Sequence, residues 1–169
     1  MINKKVSLDT QIMIWGIKKQ ATPTQIEMIE KAIRFIDKLD KERARIIIPA
    51  VVIGELLSNV PQEKYQEVLD CLTSNFQVQP FDFKSALLYA NRFYEYKQKN
   101  NPEAIFESDS GNRQKIKADL MIVASAKSAD VGILYSNDND IIKYSEGFIS
   151  AKNMPEVSGQ LSLLPTDQP

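Results

Sequence analysis

Histidine is absent from this 169-residue chain and cysteine occurs once. Without an imidazole, catalytic triads built on His and ordinary zinc sites are excluded, and any metal has to be held by oxygen. The single Cys71 permits no internal disulfide. Set in an apolar pattern with no base partner, it reads as a packed thiol rather than a nucleophile, in a reducing compartment. No charge excess exists either: 21 Lys and Arg against 22 Asp and Glu leave a net charge of -1. The electrostatic footprint of a DNA-coating protein is therefore missing, although a local basic patch remains open. No apolar run approaches the roughly 20 residues of a membrane span, and the N-terminus reaches Asp9 before a secretory apolar segment can form. These absences predict a soluble, cytoplasmic protein with no membrane partner.

With 43% hydrophobic and 25% charged residues, the length fits one globular domain with a sizeable core. Short apolar runs alternate with helical patterns. Lys5-Val6-Ser7-Leu8 reads as a strand, and the apolar stretch from Ile12 to Ile17 as a helix after Asp9-Thr10. Thr22, Pro23 and Gln25 open a long amphipathic helix carrying Ile26, Ile29, Ile33 and Ile36 to about Leu39. Ile46-Ile47-Ile48 suits a buried strand stopped by Pro49; helices follow over 50–59 and 62–73, then a strand over 76–78. Asp82 caps a helix to about Lys99, with Ala86, Leu87, Ala90, Phe93 and Tyr94 expected on its core face. Residues 100–112 form the clearest loop, a rim beside whatever site the fold builds. A helix over 115–130, a buried strand over 132–136, a short helix through Tyr144 and an edge strand over 147–150 complete the pattern. Such alternation predicts an α/β fold: a three-layer α/β/α sandwich with a mostly parallel central sheet, its ligand crevice beyond the strands' carboxyl ends. Residues 1–152 are expected to form this domain and 153–169 an extended or disordered tail.

Four acids stand apart from the general surface charge. Asp9 directly follows the first strand, and Asp138 comes shortly after the strand ending near Tyr135. Glu55 lies within Val51-Val52-Ile53-Gly54-Glu55-Leu56-Leu57, and Asp119 within Ile116 to Val123, where apolar neighbours leave least room for solvent. Asp140 is a fifth acid beside the same turn as Asp138. Each has a structural explanation: Asp9 and Asp138 can cap helices, Glu55 can pair with an arginine, and Asp119 can pair with Lys115 one turn earlier. Together they are explained by one object, a hard divalent cation such as Mg²⁺ or Mn²⁺ held by carboxylates and water. Such a site suits phosphoryl chemistry, since the cation polarises a phosphate oxygen and activates water without a side-chain nucleophile.

The ordered set Val6-Ser7-Leu8-Asp9-Thr10, Ile48 to Leu56, Lys117 to Ala124, and Leu134-Tyr135-Ser136-Asn137-Asp138-Asn139-Asp140-Ile141 resembles the PIN-domain ribonucleases, especially VapC-type toxins of type II toxin-antitoxin pairs. The resemblance spans roughly Val6 to Ile149. It implies a PIN-like nuclease domain acting as a metal-dependent endoribonuclease, with Asp9, Glu55, Asp119 and Asp138 as catalytic acids. Asp9, Asp119 and Asp138 would bind the metal, Glu55 would hold or deprotonate its water, and Thr10, Ser136 and Asp140 would support the site. It also implies an RNA substrate, a cognate antitoxin and a homodimer. Arg113, Lys115 and Lys117 are candidate contacts for RNA phosphates. Two departures stand out: Gln11 occupies a position commonly held by Asn, and residues 96–114 are longer than in compact members.

Other classes fit less well. A haloacid-dehalogenase-type phosphatase needs a second Asp where Gln11 stands, and a phosphoacceptor receiver domain needs an acidic pair that Ser7-Leu8-Asp9 does not offer. A PIN-like binding module without catalysis would have no use for the intact acidic set.

Overall fold

In a computed structural model of the chain, residues 4–100 and 110–157 are described. Five strands among them, β1 (Lys5–Leu8), β2 (Arg45–Pro49), β3 (Gln77–Gln79), β4 (Ile133–Tyr135) and β5 (Ala151–Lys152), form one sheet in the order β3-β2-β1-β4-β5. Every pairing is parallel; Val6 lies in register with Ile46 on one side and Ile133 on the other. The helices are α1 (Thr10–Met13, continuing into a π-helical turn Ile14–Lys18), α2 (Glu27–Lys41), α3 (Ala50–Leu57), α4 (Tyr65–Asn75), α5 (Phe83–Lys99), α6 (Ser110–Ser128) and α7 (Asn139–Ser145).

This strand order fixes the layers. Right-handed crossovers carry the β1-to-β2 and β2-to-β3 connections over one face of the sheet, and the β3-to-β4 and β4-to-β5 connections over the other. The result is the expected three-layer α/β/α sandwich. Between β1 and β4 the direction of winding reverses, and adjacent connections leave the sheet on opposite faces. A crevice opens at the carboxyl ends of those two strands, where open α/β sheets bind ligands.

Apolar side chains of the central strands hold the layers together. Val6, Leu8, Ile47, Ile48 and Leu134 are buried and pack with Ile12, Met13, Phe35, Leu39, Leu56 and Leu120 from the helices. The core face of α2 is Ala32, Phe35 and Leu39, flanked by Ile29 and Ile36, whereas Ile26 is exposed before the helix begins. At Gly16 a Cβ would come within 2.5 Å of Ile36 Cδ1, so the absence of a side chain lets α1 close onto α2. Helices α2 and α6 end alike: Arg43 and Asp130 adopt left-handed backbone angles, and the N–H groups of Ala44 and Val131 reach back to the carbonyls of Leu39 and Ala126. Both are Schellman-type turns, and each aims the chain into a central strand.

Three expectations need correction. The edge strand is Ala151–Lys152 rather than 147–150, because a turn uses those earlier residues: Phe148 and Ile149 both donate to Ser145 O, and Gly147 has a positive φ. Cys71 is exposed, since α4 buries only Leu72 against the core. On α5 the buried positions are Ser85 and Arg92, while Leu87, Ala90 and Tyr94 of the expected core face are exposed. Helix α5 packs on α6, and its inward residue is cationic because the end of α7 presents carbonyls there. Arg92 Nε donates to Tyr144 O and Nη2 to Glu146 O, each at 2.7 Å, and the guanidinium lies over the Phe148 ring. Residues 153–157 carry no regular structure, yet Met154 is buried and donates its N–H to Asn137 Oδ1. The remainder of the expected tail and residues 101–109 of the expected loop lie outside the described residues, whereas 110–112 already belong to α6, which begins before the expected 115.

Arg92 therefore fastens the turn after α7. Arg92→Leu removes both hydrogen bonds to these carbonyls, stranding them, along with the Nη1 pairing to Glu95 one turn on; a loss of about 2–4 kcal/mol is expected in urea unfolding followed by circular dichroism. A change below about 0.5 kcal/mol would contradict this assignment.

Candidate active site

All five acids singled out in the sequence lie at or around the β1/β4 crevice. Asp9 is the first residue after β1; its N–H donates to Tyr135 O on β4, and its side chain caps α1. One carboxylate oxygen accepts from the Ile12 N–H at 2.9 Å and the other from the Ser136 hydroxyl. Ser136 Oγ in turn accepts from the Asp138 N–H at 3.0 Å. This relay ties the turn after β4 to the end of β1. Asp138 caps α7, with Oδ1 accepting from the Asp140 N–H at 2.8 Å. The capping roles foreseen for Asp9 and Asp138 are thus real, and they orient the carboxylates as they satisfy helix termini.

The remaining acids come from helices. Because β2 runs through Pro49 straight into α3, Glu55 stands one and a half turns into that helix, half-buried, where Oε2 accepts from the Thr10 hydroxyl. No arginine pairs with it among the described residues. Asp119 lies midway along α6 and is only 7% exposed. Its Oδ2 is buried and accepts no hydrogen bond. One oxygen each from Asp119, Asp138 and Asp140 lies within 4.8 Å of the others.

Charge shows in the protonation of these groups. Burial pushes the Asp9 carboxyl up to about 6, against the hydrogen bonds from Ser136 and Ile12, with the negative charges of Asp138 and Glu55 adding to the rise. Burial likewise pushes Asp119 up to about 7; Lys115 opposes this, and Asp138, Glu55 and Asp140 reinforce it. Each of these carboxyls lies close enough to feel the charge of its acidic neighbours. Lys115 places its ammonium 3.0 Å from Asp138 Oδ2, 2.7 Å from Asp140 Oδ2 and 3.7 Å from Asp119 Oδ2. Burial works against its charge, but hydrogen bonds to Asp140 and Asp138 hold it protonated well above the usual lysine range. The pairing of Asp119 with Lys115 weighed from the sequence is therefore present, in a wider form that embraces two further carboxylates.

The donor set fits a hard divalent cation. Three convergent carboxylates, one with a buried oxygen lacking any hydrogen-bond partner, offer oxygen ligands in the number that Mg²⁺ or Mn²⁺ accepts alongside water. Asp140, assigned a supporting role from the sequence, belongs to this triad, whereas both Asp9 oxygens already accept hydrogen bonds and keep only their second lone pairs for a metal or its water. Of the three basic residues proposed for RNA, Lys115 reaches the acids. Arg113 and Lys117, two positions to either side, lie about 200° around the helix from it. What sequence inspection missed is Lys115's position among three carboxylates, two of them on another helix; only the i to i+4 spacing to Asp119 hinted at it.

A parallel α/β sandwich with a cluster of carboxylates at its winding reversal is the class that these features define. The chain belongs to the PIN domain family, whose model matches residues 6–147. Among solved structures it is similar to VapBC2 from Rickettsia felis bound to a DNA fragment from their promoter, with TM-score 0.62 and 21% identity over 89% of this chain and 99% of that one. It is also similar to DNA-bound VapBC from Salmonella typhimurium, with TM-score 0.56 and 18% identity over 90% of this chain and 99% of that one. At these identities the likeness shows the shared fold. No curated protein matches the chain.

A metal bound at this cluster would have to expel the protons that burial retains. Both carboxyls titrate above the aspartate range of an unfolded chain, so their contribution to stability is present below about pH 4 and is lost as pH rises through 6 to 7. A divalent ion bound among these carboxylates would offset that loss. The rise in Tm produced by Mn²⁺ is expected to be larger at about pH 8 than at about pH 5, as read by scanning calorimetry; an equal rise would contradict this account. Ser136→Ala, which deletes a bond favouring charged Asp9, should move the pH midpoint of Mn²⁺ binding upward.

Proposed function

We propose that this chain is a divalent-metal-dependent endoribonuclease, hydrolysing RNA phosphodiester bonds as the toxin component of a toxin-antitoxin pair. The observation that carries this reading is the convergence of Asp9, Glu55, Asp119, Asp138 and Asp140, including a buried, unpartnered Asp119 oxygen, at the winding reversal of the sheet. Membership of the PIN family supports it.

Asp119, Asp138 and Asp140 would hold Mg²⁺ or Mn²⁺. Such an ion supplies Lewis acidity toward a phosphate oxygen and lowers the pKa of attacking water. The chain's own residues do the rest. Ser136 and the Ile12 N–H fix Asp9 so that its charge faces a defined partner rather than solvent, and Thr10 holds one Glu55 oxygen. The other Glu55 oxygen accepts no hydrogen bond among the described residues and is suited to orient water and accept its proton. Exposure of Asp140 leaves one side of the cluster open to a polymer strand.

The similar solved structures are VapBC complexes, and by analogy this chain would pair with an antitoxin in the cytoplasm. A protein presenting a cationic side chain to the acidic crevice would block it through charge complementarity. A homodimer is part of the same proposal.

The test is cleavage of single-stranded RNA by the full chain. Activity should require Mn²⁺ or Mg²⁺, stop with EDTA, vanish in Asp119→Asn, and fall about 10²–10⁴-fold in Glu55→Gln. Cleavage that persists in EDTA, or in Asp119→Asn, would reject the mechanism. Metal binding without cleavage of any RNA would favour a binding module instead.

A further inference from the structure

The position of Lys115 is unusual for a surface lysine. It stands one turn before Asp119 on α6, and its ammonium contacts one oxygen each from the three carboxylates that converge within 4.8 Å. Two of those contacts, at 2.7 and 3.0 Å, have hydrogen-bond length; the third, at 3.7 Å from Asp119 Oδ2, is too long for one. The buried Asp119 oxygen therefore faces the ammonium's charge yet is left without a donor. An ammonium is a single charge with three donors on a flexible stem, and it satisfies this cluster incompletely. The stem is half exposed, with the side chain 49% accessible, so a path back to solvent is open.

We propose that Lys115 is a tethered placeholder for the divalent ion. Its ammonium occupies the Asp119, Asp138 and Asp140 cluster when the metal is absent and has to withdraw when the metal binds, so the chain's own lysine sets the metal affinity by competition. This rests on the reading of that cluster as a metal site. Three consequences follow from the geometry. The metal-free site is spared full carboxylate repulsion, which keeps α6 and α7 together. Metal loading has a threshold, because a doubly charged ion has to outcompete a cation held nearby by the fold. Once displaced, the ammonium stays tethered at the rim of the acids, where it can pair with a phosphate oxygen of a bound strand.

The experiment compares wild type, Lys115→Met and Lys115→Arg as full chains, with Mn²⁺ alone as the probe. Titration calorimetry measures affinity, and scanning calorimetry measures Tm with and without Mn²⁺. Lys115→Met should bind Mn²⁺ at least about fivefold more tightly than wild type, the lower edge of ordinary coupling between sites, whereas Lys115→Arg retains the competitor and stays near wild type. Without metal, Lys115→Met should melt below wild type, and the gap should close when Mn²⁺ is saturating. If Lys115→Met aggregates, Lys115→Gln asks the same question with a neutral polar side chain. Wild type that binds Mn²⁺ together with a neutral variant whose affinity is unchanged or weaker would overturn the placeholder while leaving the nuclease reading intact. Wild type that binds no Mn²⁺ would overturn both.

Discussion

Carboxylates brought together in a poorly solvated crevice repel one another, and a fold that brings five of them together has to retain protons on some or place a positive charge among them. Everything distinctive about this chain follows from that constraint. Burial and mutual repulsion raise Asp9 and Asp119 far above ordinary aspartates, and Lys115 supplies a partial remedy with one ammonium shared among three acids. A divalent ion is the fuller remedy, because it offers twice the charge and accepts more oxygens at shorter range.

The scaffold produces this crowding through topology. Two strands that are neighbours in space, β1 and β4, send their connections to opposite faces of the sheet, and the residues just beyond their carboxyl ends border the resulting gap. Asp9 and the Ser136 to Asp140 turn enter from those strand ends, Glu55 from α3 and Asp119 from α6. Hydrogen bonds from Ser136, Thr10 and the Ile12 N–H fix the Asp9 and Glu55 carboxylates in place. The inner oxygen of Asp119 is left unbonded, as a metal ligand should be.

Much of this was legible in the sequence because the signals were local. Apolar triplets such as Ile46-Ile47-Ile48 marked buried strands, and acids placed just after strands or inside apolar helices marked the crevice. Burial faces were less legible. On α5 the aromatic residues suggested a core stripe, but the contact that orients the helix is a guanidinium donating to carbonyls beyond α7, a long-range fit that periodicity does not encode. The fifth strand was displaced because a turn governed by Ser145 O and the positive φ of Gly147 determines where pairing can begin. The contact between Lys115 and Asp140 was not legible either, because sequence spacing does not reveal that α6 and α7 bring them face to face.

The central claim is that one divalent ion occupies the space bounded by Asp119, Asp138 and Asp140. Crystals of the protein soaked in Mn²⁺ and measured for anomalous scattering test it most directly. The account predicts a strong anomalous peak within coordinating distance of those three carboxylates, with the Lys115 ammonium moved away from them; a featureless map there, or a peak only elsewhere on the molecule, would contradict it.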